Sequence, residues 1–152
     1  MQNNTGIREF SEIQLTGNVI HTHWFQTIQK GGKADLLAIN ILAEIVYWYK
    51  PREVRDEVTG QHLGWKKKYK ADVLQKSYDA FANLFGVSKR QVTLAVVRLE
   101  EIGVIKREFR TIKQGNVLSN NVLFIHLDLE KLKEISYPAQ ANEQTLSQKN
   151  AL

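Results

Sequence analysis

Two helix-sized segments joined by a glycine and a serine constrain this chain more than anything else in it. Ser77 can act as an N-cap. In Tyr78–Phe85, Phe81, Leu84 and Phe85 form an apolar face, and Ala80 and Ala82 are small enough for close helix contact. Gly86 sits where a helix end needs a residue tolerant of positive φ, and Val87 plugs the turn. Ser88 caps the next helix, and Gln91 three positions on completes a capping box. Over Lys89–Ile102, the residues Val92, Ala95, Val96, Leu99 and Ile102 share one face, and Gly103 ends the run. Helix, short glycine-containing turn, helix is the pattern of a helix-turn-helix unit.

After Gly103 the period changes. Val104–Ile112 reads as a strand, Lys113–Asn120 as a polar loop around Gly115-Asn116, and Asn121–Leu127 as a second strand. Two strands around a basic loop, directly after the second helix, make a wing. Asp128–Ile135 reads as a closing helix capped by Asp128. Upstream, Val19–Phe25 is β-branched and aromatic and reads as a short strand, and Lys30-Gly31-Gly32-Lys33 is a break. Asp35 caps an apolar helix that runs to Tyr49, with a polar line of Asn40, Glu44 and Tyr47, and Pro51 stops it. Pro51–Leu63 reads as a loop or short hairpin turning at Thr59-Gly60, Trp65–Tyr69 as a strand, and Ala71–Leu74 as a short helix. Trp24, Phe25, Tyr47, Trp48, Tyr49 and Trp65 read as core or packing residues, some of them lining a dimer seam if the strand near Val19 pairs between chains. The expected fold is α+β and mainly helical: a winged helix-turn-helix with three core helices and a two- to three-stranded antiparallel wing sheet. It spans residues 15–135, between a flexible N-terminus (1–14) and a flexible C-terminal tail (136–152).

Composition narrows the chemistry. The 152 residues include no cysteine, which removes disulfide frameworks, thiolate nucleophiles and cysteine zinc sites, and suits a reducing cytoplasm. The longest apolar stretch, Leu36–Tyr49, is shorter than the ~20 residues of a membrane span. Met1-Gln2-Asn3-Asn4-Thr5 has neither a basic n-region nor an apolar h-region, so it is not expected to act as a secretory signal. His21 and His23 would share a strand face, but His62 and His126 are the only other histidines, so no metal site is expected. No phosphate loop, nucleophile elbow or zincin motif is present, so no catalytic residue, cofactor or small-molecule ligand is expected. The net charge of +5 is unevenly spread. Residues 61–120 carry twelve Lys/Arg against five Asp/Glu, a net of +7, while the rest of the chain is slightly acidic. A surface for a polyanion needs such concentration.

The runs Ser77-Tyr78-Asp79-Ala80-Phe81-Ala82, Phe85-Gly86-Val87-Ser88-Lys89-Arg90-Gln91-Val92 and Arg98-Leu99-Glu100-Glu101-Ile102-Gly103-Val104-Ile105 resemble bacterial winged-helix DNA-binding domains. The resemblance covers roughly Ser77 to Leu127 and is greatest to phage and plasmid replication-initiation or replisome-organiser modules, with transcription regulators similar over the same stretch. It implies double-stranded DNA binding, in replication initiation or transcription regulation, with the second helix entering the major groove N-terminal end first. Ser88, Lys89 and Arg90 would lie at that end, and Gln91 and Thr93 within reach of bases or phosphates. Lys106, Arg107, Arg110 and Lys113 would serve the wing, and Lys66, Lys67 and Lys68 form a further basic run that can equally be a solvated face. Arg98 completes the candidate set. Lys89 and Arg90 oppose the helix dipole, a conflict that an incoming phosphate offsets. The outward face of the second helix carries Arg90, Leu94, Val97 and Glu101. Its apolar members suit thymine methyls or a protein contact, so a protein-interaction or oligomerisation module is the alternative. A homodimer is left open.

Overall fold

The computed structural model describes residues 5–138. In chain order the elements are α1 (Thr5–Ser11), α2 (Trp24–Thr27), β1 (Gln29–Lys30), β2 (Lys33–Ala34), α3 (Leu36–Tyr49), β3 (Arg52–Arg55), β4 (His62–Lys66), β5 (Leu74–Gln75), α4 (Tyr78–Phe85), α5 (Lys89–Ile102), β6 (Ile105–Gln114), β7 (Val117–Leu127) and α6 (Leu129–Ser136). The class is α+β with small antiparallel sheets: β1 with β2, β3 with β4, and a three-stranded sheet in the order β5-β7-β6.

Helix α3 is the centre. The Asp35 carboxylate caps it by accepting from the Ala38 N–H at 3.1 Å. Ala38, Ile39, Ile41, Leu42, Ala43 and Ile45 are all buried. Apolar burial around so much of a helix needs partners on several sides, and α5, α2 and β7 supply them. The helix ends at Lys50 because a residue preceding proline disfavours the helical region. Across α3 lie α4 and α5, whose inward residues Phe81, Val92, Val96 and Leu99 are fully buried. Each contributes about 1.5–3 kcal/mol through area removed from water. Leu123 and Ile125 bring the sheet onto the same core, where the Tyr49 hydroxyl donates to the Ile125 carbonyl. Helix α6 closes the far side. Trp24 Nε1 donates to Ser136 Oγ at 2.8 Å, and Thr27 Oγ1 donates to the Ile135 carbonyl at 3.1 Å.

Several sequence expectations are corrected. Val19–Phe25 is not a strand. No strand among the described residues pairs with it, and burial of Trp24 against α6 is met by a short helix instead. Thr5–Ser11, inside the stretch expected to be flexible, is helical, with Ile7 and Phe10 exposed. Ala71–Leu74 forms no helix, because Leu74 and Gln75 pair with Ile125 and Phe124 at the sheet edge. The strand expected over Trp65–Tyr69 ends at Lys66. Leu84 is not core but 53% exposed: Tyr78, Phe81, Ala82 and Phe85 define the inward arc of α4, and Leu84 falls outside it. Phe25, Tyr47 and Trp65 are exposed as well. Lys113–Asn120 is not a loop. The strands continue to Gln114 and from Val117, leaving Gly115-Asn116 as a two-residue turn with Gly115 at φ 62°. Ser136, assigned to the tail, is buried, and residues 139–152 of that tail lie outside the described residues.

Candidate functional site

The α4–α5 turn sets the first group of side chains. Gly86 takes φ 66°, a conformation that L side chains rarely adopt, and turns the chain out of α4. Ser88 then leaves the helical region at φ −77°, ψ 156°, and its Oγ accepts from the Gln91 N–H at 3.1 Å. Gln91 returns the bond, its Oε1 accepting from the Ser88 N–H at 3.0 Å. The capping box fixes the tip of α5 while Lys89, Arg90 and Gln91 remain exposed. Lys89 lies 3.8 Å from Asp79, with both side chains more than 60% exposed, a pair worth little in solvent. Arg90 has no ion-pair partner among the described residues. The backbone N–H groups of Lys89 and Arg90 have no acceptor there either, so unaccepted donors and two cations converge on this tip beside the Asp79 carboxylate.

Gln91 and Thr93 are less available than the sequence implies. The Gln91 amide oxygen is engaged in the capping box, and Thr93 Oγ1 donates to the Lys89 carbonyl at 2.8 Å. Further along the outward face, Leu94 is 49% exposed and Glu101 is exposed.

Three of the candidate arginines are withdrawn into internal pairs. Arg98 turns toward α3, where its Nε donates to Asp35 at 2.7 Å and ties the middle of α5 to the α3 N-cap. Arg107 forks onto Glu100, with Nε and Nη2 each donating at 3.1 Å, and its Nη1 donates to the Tyr78 hydroxyl at 3.0 Å. That guanidinium holds the Glu100 carboxyl below its ordinary range and is itself held more firmly protonated. Arg110 grips Asp72 through two bonds at 2.8 and 3.0 Å, also donates to Glu108 at 3.0 Å, and lies over the Phe124 ring. Its hydrogen bonds lower the Asp72 carboxyl to about 2. Glu108 is held down first by Arg110 and then by His126, whose Nε2 lies 2.7 Å away. Arg98, Arg107 and Arg110, expected as DNA contacts, each already hold a carboxylate.

Lys106 and Lys113 remain exposed on β6 without ion-pair partners among the described residues. Past Arg110 the strand register shifts, with Asn121 at φ 57° and Thr111 Oγ1 donating to Asn120 Oδ1. This bulge re-aims the distal hairpin, whose residues 113–120 are all exposed. In the other basic run, Lys68 is half-buried: its Nζ donates to the Tyr47 carbonyl at 2.9 Å and sits 3.7 Å from the Tyr47 ring centroid. Lys67 donates to the Ala71 carbonyl, and Lys66 is exposed opposite Arg52 in the β3–β4 register. The sequence reading did not include Arg52. The turn at Thr59-Gly60 was the signal that places it beside Lys66.

His21 and His23 precede α2 rather than sharing a strand, with rings stacked at 5.6 Å. No group of three or more His, Cys, Asp or Glu that could hold a metal occurs among the described residues. Nor, among them, is any helix long and apolar enough to cross a membrane. No protein-family model matches the chain, and no curated protein or solved structure is significantly similar to it.

Proposed function

We propose that this chain binds double-stranded DNA as a winged helix-turn-helix protein, with the Ser88 end of α5 entering the major groove and the β6–β7 hairpin alongside as the wing. The observation that carries the reading is the capped tip of α5, where Lys89 and Arg90 stand exposed beside unaccepted backbone N–H groups. Cations at that end oppose the helix dipole, and a phosphate placed there meets donors, dipole and charge at once. The order α4, glycine turn, α5, hairpin and the concentration of positive charge in residues 61–120 support it. A role in replication initiation or transcription regulation of a bacterial or mobile-element system is part of the same proposal.

With Gln91 and Thr93 bonded to their own backbone, the contacts available are mainly to phosphate. Binding then depends steeply on salt and weakly on sequence. Lys89, Arg90, Lys106 and Lys113 are four such contacts, giving a slope of log affinity on log salt of roughly −3 to −4. A duplex titration at several salt concentrations measures it. The Lys89→Ala/Arg90→Ala double variant loses at least about tenfold in affinity and about two units of that slope. A variant that binds duplex as wild type does refutes the placement of α5.

The exposed Leu94 favours a second reading, a protein-interaction module. That reading requires no duplex binding at moderate salt and self-association abolished by Leu94→Glu, both measurable by gel shift and sedimentation.

A further inference from the structure

Helix α5 has a different neighbour on each side of its outward face. Arg98 and Glu100 are two residues apart, each residue turning about 100° around the helix, and the stripe of Arg90, Leu94, Val97 and Glu101 runs between them. Glu100 is bonded to Arg107 of β6, so the β6–β7 hairpin flanks α5 on that side. Arg98 is bonded to Asp35, so the N-terminal end of α3 flanks it on the other. The chain enters that end of α3 through the β1–β2 hairpin. The hairpin is tied down at its base, where the Asp35 N–H donates to the carbonyl of the buried Ile28 at 3.0 Å.

Gly31 and Gly32 form the turn of this hairpin, both at positive φ (56° and 76°), which closes two antiparallel strands tightly. The register sets Lys30 directly opposite Lys33. Residues paired in this way project from the same face with Cβ atoms about 5 Å apart, and like charges so placed repel. Both lysines are exposed, and neither has an ion-pair partner among the described residues. No Asp or Glu occurs in the sequence between Glu12 and Asp35. Asp35 itself is engaged, one oxygen accepting from Arg98 and the other from the Ala38 N–H. Lys33 is two residues from Asp35, so their Cα atoms lie within about 7 Å. A doubled positive charge therefore stands on the flank of α5 away from Lys106 and Lys113. A helix in the major groove has phosphates along both walls of a channel about 12 Å wide, and an anion placed between Lys30 and Lys33 relieves their repulsion.

We propose that the β1–β2 hairpin is a further phosphate contact on duplex DNA, with Lys30 and Lys33 gripping one wall of the groove while the β6–β7 hairpin serves the other side of α5. This contact rests on the duplex reading of α5. It adds two phosphate contacts to the four already named, which steepens the wild-type salt slope to roughly −5.

The test is a titration of the full chain with a labelled mixed-sequence duplex about two helical turns long, at several salt concentrations. Lys30→Ala/Lys33→Ala binds about 5- to 30-fold more weakly at low salt and loses about two units of slope. Lys30→Arg/Lys33→Arg keeps the wild-type slope. Because both lysines are exposed and repel, the alanine variant unfolds in urea at or above the wild-type midpoint. Lys50→Ala/Lys70→Ala removes the same charge from the other end of α3, where Tyr69 packs on Tyr49, and changes affinity less than about twofold. Equal losses from the two alanine pairs overturn the contact, because overall charge then explains both. Wild-type affinity and slope in Lys30→Ala/Lys33→Ala, with Lys89→Ala/Arg90→Ala still losing duplex, overturn the contact and leave the reading of α5 standing. A wild-type chain that binds no duplex overturns both.

Discussion

At the root of the β6–β7 hairpin both arginines are held by carboxylates, whereas on the β3–β4 hairpin Arg52 and Lys66 have none among the described residues. Both hairpins carry basic side chains, and their presence alone does not say which are engaged. Their neighbours do. The planar guanidiniums of Arg107 and Arg110 match a carboxylate at two points, and Glu100 and Asp72 offer that match from α5 and from the segment before β5. Lys106 and Lys113, on the same strand, have compact heads and no such partner among the described residues. On β6, arginine joins elements together and lysine stays exposed.

Arg107→Ala is the largest expected break in this contrast. It removes a forked carboxylate contact and the Tyr78 bond from a half-buried place, and urea unfolding then shows a loss of about 2 kcal/mol. Lys106→Ala, one residue away, stays within about 0.5 kcal/mol of wild type. Equal losses in the two variants end the distinction between joining and available cations.

Acid sharpens it next. Asp72 titrates at about 2 in the folded chain instead of its ordinary 3.8, chiefly through the Arg110 hydrogen bonds, and Glu100 and Glu108 are displaced in the same direction by Arg107 and Arg110. The folded state therefore holds fewer protons than the unfolded chain in this range. Its stabilisation is complete above the ordinary value and is lost as pH falls through the folded one. Melting temperature measured from pH 4 to pH 2 declines, and Asp72→Asn flattens part of that decline. A wild-type profile that is level across the window contradicts the pairs at the hairpin root.

Binding gives a smaller effect of the opposite kind. Lys106→Ala lowers duplex affinity a few-fold at low salt and reduces the salt slope by about one, while stability is unchanged. Arg110→Ala has the reverse signature. If Arg110→Ala instead removes as much affinity as Lys106→Ala, DNA draws Arg110 away from Asp72 when it binds.

The divide between legible and illegible follows the range of the interactions. Both helices of the central motif, their caps and the glycines that end them are set by residues within four positions of one another. Ser77, Gly86, Ser88, Gln91 and Gly103 perform in the structure the roles their spacing assigns. Strand limits depend on partners distant in sequence. Val19–Phe25 has strand composition but finds no partner strand among the described residues, whereas Leu74-Gln75 has little strand signal and is drawn into the sheet by β7. The site divides in the same way. Exposure of Lys89 and Arg90 follows from their helical phase. The withdrawal of Arg98 depends on Asp35, sixty-three positions away, and that of Arg110 on Asp72, thirty-eight away. No local pattern carries either pairing.

Gln91 is the finest test because two uses of one side chain compete. Bidentate recognition of adenine needs its amide oxygen and nitrogen together, and the oxygen is already bonded to the Ser88 N–H. Gln91→Ala removes that bond and costs about 0.5–1 kcal/mol of stability by urea titration. If the capping box persists on DNA, the variant keeps the wild-type ranking of duplex sequences and loses affinity uniformly, if at all. A loss of discrimination confined to one A·T position shows that the helix tip opens its cap to read a base. The exposed tip would then give up local stability for specificity, something the arginine pairs at the root of the β6–β7 hairpin are too tightly matched to do.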